Sequence, residues 1–153
     1  SVDQENDLML QAIAEKDKSA RKKQTVQMFS LRDARIKKAH EELNKPVEFY
    51  ETGFATMEGT ARYIEEGAIN NFTDITYRKE LLEADSSYRA AIDSKGLVNP
   101  EAGYKTQVSM SYTYALGYNM ARLLDKFGSN YKTRLFRTPE LTLDKILREE
   151  LAK

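Results

Sequence analysis

The side chains best suited to chemistry in this chain are glutamates, tyrosines and a single histidine. His40-Glu41-Glu42 begins like His-Glu-x-x-His, in which two imidazoles one helical turn apart reach one zinc ion. The position that would complete it holds Asn44, so the arrangement is absent. His40 alone reads as a hydrogen-bonded helix residue, paired with Asp33 or a glutamate. A second group is Glu48, Glu51, Glu58, Glu65 and Glu66. Clustered carboxylates can do acid–base work or hold a hard metal ion. Glu51, Glu58 and Glu65 recur every seven residues and share a helix face, and Glu58 stands four residues before Arg62, the spacing of a helical ion pair. The third group is Tyr104, Tyr112, Tyr114 and Tyr118. A tyrosine hydroxyl either serves a polar partner in a core or donates to a developing oxyanion.

Other chemistries are excluded by composition. There is no cysteine, which removes disulfides, thiolate metal sites and a cysteine nucleophile. One histidine cannot give a zinc ion two imidazoles from a single copy of the chain. No Gly-x-Ser-x-Gly elbow, phosphate loop or calcium loop is present. With 41% hydrophobic and 31% charged residues, the chain is too apolar for disorder and too charged for a membrane protein. No apolar run approaches the about 20 residues of a membrane span. Residues 1–20 lack the basic-then-apolar order of a signal peptide, so a soluble domain is expected, cytoplasmic or exported in mature form. Net charge is zero but blocked: Lys16 to Lys38 holds nine Lys/Arg against Asp17 and Asp33, between acidic neighbours. Those neighbours would repel phosphate, so nucleic acid is not an expected partner.

The elements that must position these groups read as helices throughout. A short helix is predicted over about Asn6 to Ala14, and a long one over about Ser19 to Leu43. The second has a seam of Val26, Phe29, Asp33, Ile36, His40 and Leu43 at alternating spacings of three and four. Asn44-Lys45-Pro46 ends it. A third helix, about Val47 to Glu66, carries an apolar stripe of Tyr50, Phe54, Met57, Ala61, Ile64 and Ala68. Beside it runs a polar stripe of Glu51, Ala55, Glu58, Arg62 and Glu65. Gly53 and Gly59 in such a helix suggest a close backbone neighbour. Thr73-Asp74 can cap a fourth helix to about Asp93. A fifth, about Gly103 to Phe127, is the most apolar and is expected to be central, stopping at Gly128. Short helices over Asn130 to Phe136 and Thr142 to Leu151 follow, split at Thr138-Pro139. The expected fold is a single all-α domain spanning 1–153. It is an irregular bundle of about five main helices plus short C-terminal ones.

Against this frame, "FATMEGTARYIEEGA", Phe54 to Ala68, resembles the Glu-Gly-x-Ala-x-Tyr-x-Glu segment of zinc metallopeptidase-like proteins of the gluzincin kind. The basic helix "ARKKQTVQMFSLRDARIKKA" before it, and "YALGYNMARLLDKFGSNYKTRLF" after it, follow the order of parts in those proteins. The resemblance implies that Glu58 is the third zinc ligand. It places Arg62 beside it as a supporting group, with Glu65 or Glu66 in support or in the cleft. The His-Glu-x-x-His segment, with the other two ligands and the general base, would then come from a preceding part of a longer parent, or else this chain is a relative that has lost its metal site. In the first case this chain would be the C-terminal helical portion of a zinc-dependent metallopeptidase acting on peptides. It would not be catalytic by itself, and would hold no cofactor without that segment. The alternative is a non-enzymatic helical interaction or scaffold domain.

Overall fold

Asp17 shows how locally this chain fixes its helices. Its backbone is extended and its carboxylate accepts the Ala20 amide at 2.7 Å, capping a 26-residue helix. At the other end Asn44 turns left-handed, at φ 50°, and its amide closes on the His40 carbonyl. The computed structural model describes residues 2–44, 46–70 and 112–153, and within them the fold is all-α. The helices are α1 (Val2–Ala14), α2 (Lys18–Leu43), α3 (Val47–Asn70), α4 (Tyr112–Phe127), α5 (Tyr131–Arg137) and α6 (Leu143–Ala152). The expected fourth helix, and the expected fifth before Tyr112, lie outside the described residues, as does Tyr104. No helix among the described residues is long and apolar enough to cross a membrane.

α4 is the centre, packing on α1, α3 and α6. Leu116, Met120, Leu123 and Leu124 meet Met9 and Ala12 of α1, Met28 and Phe29 of α2, and Leu143, Ile146 and Leu147 of α6 in one apolar core. Gly128, at φ 71°, ends α4. The amides of Gly128 and Ser129 turn back onto the carbonyls of Asp125 and Leu124, a closure in the left-handed region that glycine adopts without the strain a Cβ brings. Thr142 caps α6 by accepting the Lys145 amide.

Two faces differ from the expected ones. In α2, Val26 is 46% exposed, and Asp33 and His40 also lie outside, leaving Phe29 as the buried member of the apolar seam with Ile36 half-buried. The buried line is instead Arg21, Thr25, Met28 and Arg32, continuing to the half-buried Arg35, at spacings of four and three. Asp33 pairs with Arg148 of α6. In α3 the inversion is more complete. Met57 is 69% exposed and Ile64 60%, with Tyr50, Phe54, Ala61 and Ala68 also outward, while Glu51, Ala55, Gly59 and Glu66 are buried.

The reason is steric and electrostatic together. α3 and α4 run in the same direction, as the pairings Glu51 with Tyr112, Gly59 with Gly117 and Tyr63 with Asp125 show. A Cβ at Gly59 would stand 2.3 Å from the Gly117 Cα, and one at Gly117 would stand 1.7 Å from the Ala55 carbonyl oxygen. Backbones this close leave no space for the large apolar side chains of α3, which turn outward. Gly53, by contrast, has open space around it.

These two glycines therefore respond oppositely to alanine. Gly117→Ala is expected to cost about 3 kcal/mol or more, because backbone rather than a side-chain tip must move. Gly53→Ala is expected to stabilise by up to about 1 kcal/mol through helix propensity. Urea unfolding of both variants checks the contrast, and equal midpoints for the two would contradict the packing.

Candidate functional site

A chain of charged groups lies where α1, α2, α3 and α6 meet. Arg32 is 1% exposed and Glu51 is fully buried, and the Arg32 Nη1 donates to Glu51 Oε1. The other face of the Arg32 guanidinium meets α6, where Nε lies 3.0 Å from Asp144 Oδ2, an ion-pair contact without hydrogen-bond alignment. Arg35, one turn on, binds two carboxylates at once. It donates to Glu5 at 2.6 and 2.9 Å and to Glu51 at 2.9 and 2.8 Å. Arg148 extends the chain by donating to Asp144 and, through both terminal nitrogens, to Asp33. Its guanidinium also lies 4.0 Å over the Phe29 ring. Buried charges of this kind persist only when matched by opposite charge and hydrogen bonds.

The electrostatics follow the geometry. Burial alone would push the Glu51 carboxyl up, but the Arg35 hydrogen bonds and the charges of Arg32 and Arg35 outweigh it and hold the group below 4.5. Burial and the Glu51 carboxylate together push the Tyr112 hydroxyl well above the ordinary tyrosine range, so it remains a donor. Burial opposes the charge on Arg35, but its bonds to Glu5 and Glu51 prevail and raise its pKa further.

The glutamates singled out in sequence divide among different surroundings. Glu51, Glu58, Glu65 and Glu66 are each met by a tyrosine of α4 or by a neighbour on α3, while Glu48 is exposed. Tyr112 donates to Glu51 Oε2 at 2.9 Å. Tyr114 lies beside Glu58, which is half-buried, and this carboxylate is the main reason the Tyr114 hydroxyl is shifted up. Tyr118 donates to Glu66 Oε2. Arg62 pairs with Glu65, three residues on. Glu58 and Glu66 thus lie two turns apart on the side of α3 that α4 grips, while Arg62 and Glu65 satisfy one another beside them. Among the described residues, no group of three or more His, Cys, Asp or Glu side chains is placed to hold a metal ion.

Arg32, Arg35, Glu5 and Asp144 were not singled out by sequence reasoning. A signal was present in residue choice. Within the basic block, Arg21, Arg32 and Arg35 turn inward, while Lys16, Lys18, Lys23, Lys37 and Lys38 are exposed. Arg21 donates to the backbone carbonyls of Ala12, Glu15 and Lys126. Arginine suits such positions because its planar fork satisfies several acceptors at once and is weakly hydrated.

The chain matches no protein-family model, no curated protein and no solved structure.

The depressed Glu51 carboxyl has a consequence for acid stability. It binds a proton more weakly when folded than when unfolded, so its contribution is fully present above the unfolded value and disappears as pH falls through the folded one. Stability is therefore expected to fall as pH drops below 4.5. In Glu51→Gln the limb should be flatter and the stability at neutral pH lower. Chemical unfolding at stepped pH would show this, and parallel acid limbs for the two proteins would rule Glu51 out as its source.

Proposed function

We propose that this chain is the C-terminal helical portion of a zinc-dependent metallopeptidase, with Glu58 as the protein's third zinc ligand. The observation that carries this reading is the situation of Glu58. It is half-buried on α3 beside the Tyr114 hydroxyl, a neutral neighbour that leaves its charge uncancelled. A carboxylate beside a neutral donor retains the charge a zinc ion needs, and such a partner commonly orients a ligand carboxylate. The helix carrying it is fixed in register by the Glu51 ion pairs two turns earlier.

In this reading a histidine pair from a preceding segment supplies the other ligands, since His40 is the single histidine here. When bound, zinc would polarise the scissile carbonyl and lower the pKa of its water. The residues of this chain then have limited tasks. Glu58 contributes one negative charge and one ligand atom, Tyr114 stands beside that carboxylate, and the Arg62–Glu65 pair stiffens the next turn.

The test is metal analysis of the complete protein. Wild type is expected to carry about one zinc per chain, and Glu58→Gln to lose at least about tenfold in zinc affinity while keeping its helical signal. Tyr114→Phe should weaken zinc less than Glu58→Gln does. Absence of zinc in the wild type, or undiminished zinc in Glu58→Gln, would refute the assignment.

A second reading, a non-enzymatic helical interaction or scaffold domain, is favoured by the outward stripe of Tyr50, Phe54, Met57 and Ile64 on α3. Contiguous exposed apolar side chains of this kind commonly mark contact surfaces.

A further inference from the structure

A cavity of about 850 Å³ opens between α1, α3 and α4, separate from the Glu58 side chain. Its volume falls in the range of small-molecule sites. One wall is apolar, from Leu10, Ile13 and Ala14 of α1. The opposite walls are Tyr63 and Glu66 of α3 and Tyr118, Arg122, Asp125 and Lys126 of α4.

Glu66 is the unusual member. It is 5% exposed, its Oε2 accepts from Tyr118, and its Oε1 is buried with no hydrogen-bond partner. A buried carboxylate oxygen without a donor is costly. The last torsion of a glutamate is broad, so a small swing offers this oxygen to the cavity. The remaining charges are arranged unequally. Asp125 is engaged by Lys132 at 3.1 Å and by the Tyr63 hydroxyl. Arg122 stacks 5.4 Å over the Tyr118 ring and donates one bond, to Asn119 at 3.2 Å. A guanidinium has five donors, so this one retains capacity for an anion. Lys126 adds a second positive charge on the same side, one turn further along α4.

We infer that this cavity binds a small zwitterion, a free amino acid or short peptide. Its ammonium is held by Glu66, its carboxylate by Arg122 and Lys126, and an apolar side chain lies against Leu10 and Ile13. A simple cation would satisfy Glu66 but meet the charge of Arg122, and a simple anion would meet Glu66. A zwitterion meets both with matching sign.

Isothermal titration of the full chain with L-leucine and with the dipeptide leucyl-glycine tests this. At least one is expected to bind. N-acetyl-leucine, which lacks the ammonium, and leucinamide, which lacks the carboxylate, should each be weaker than leucine or its dipeptide by at least about tenfold. Binding of leucine alone assigns a free amino acid, and preference for the dipeptide assigns a peptide terminus. Glu66→Gln should lose at least about tenfold with an unchanged circular dichroism spectrum. Should that variant not fold, the comparison of blocked and free ligands on the wild type decides alone. No binding of either free ligand up to about 10 mM, a range far weaker than specific small-ligand sites, would overturn the proposal. So would N-acetyl-leucine or leucinamide binding as tightly as leucine. Because Glu66 and Glu58 are tested by different readouts, loss of either assignment leaves the other standing.

Discussion

Arg32 carries a full charge into a place with almost no water, and the helix arrangement answers that constraint. A guanidinium so buried must find carboxylates from more than one direction. Glu51 comes from α3, Asp144 from α6, and through Arg35 the fully buried Glu5 comes from α1. Four helices are thereby held at one point. The apolar core around α4 supplies most of the burial, but apolar contact is tolerant of rotation and sliding. Bidentate pairing is not, since its oxygens and nitrogens must face one another in a plane. The network accordingly fixes which face of α3 turns inward.

Once Glu51 faces inward, the remainder of α3 follows at helical spacing. Ala55 and Gly59 lie on the same line and allow α4 to come within backbone contact at Gly117. The tyrosines of α4 then meet the acids flanking that contact, Tyr112 and Tyr118 donating to Glu51 and Glu66 and Tyr114 lying beside Glu58. The same geometry that excludes large side chains from the α3–α4 contact presents the acids to their hydroxyls. It also creates the cavity on the far side, where α1 ends against Tyr63 and Tyr118. The outward stripe of Phe54, Met57 and Ile64 is a by-product of this choice, one that leaves apolar surface for another contact.

Local signals were legible from sequence. Asn44, Gly128 and Thr142 mark helix ends through hydrogen bonds and backbone angles that involve near neighbours only, and Asp17, which caps α2 ahead of the expected start at Ser19, acts through a neighbour equally near. The centrality of α4 follows from apolar residues around much of its circumference. The buried faces of α2 and α3 were not legible by hydrophobic periodicity, because both helices bury charge. The line through Arg21, Thr25, Met28, Arg32 and Arg35 has seam spacing as regular as that of Val26, Phe29 and Asp33. What separates the two is the partner, Glu51 or Glu5, which lies far away in sequence. Glu58 and Glu66 were recognisable as candidates by their segment, yet their tyrosine neighbours depend on the register between α3 and α4. That register comes from Gly59 against Gly117, a contact no single-helix pattern contains.

The dependence of the fold on the buried pair is measured most directly by a double-mutant cycle. Arg32→Met and Glu51→Leu would be made singly and together, with stability read from urea unfolding. Each single change leaves a buried charge with fewer partners, Glu51 with Arg35 and Tyr112 or Arg32 with Asp144, and is expected to cost about 3 kcal/mol, whereas the double change replaces both by apolar groups. The double variant is therefore expected to be more stable than the sum of the single losses by at least about 2 kcal/mol. Losses that add to within about 0.5 kcal/mol would contradict a bundle organised around this pair.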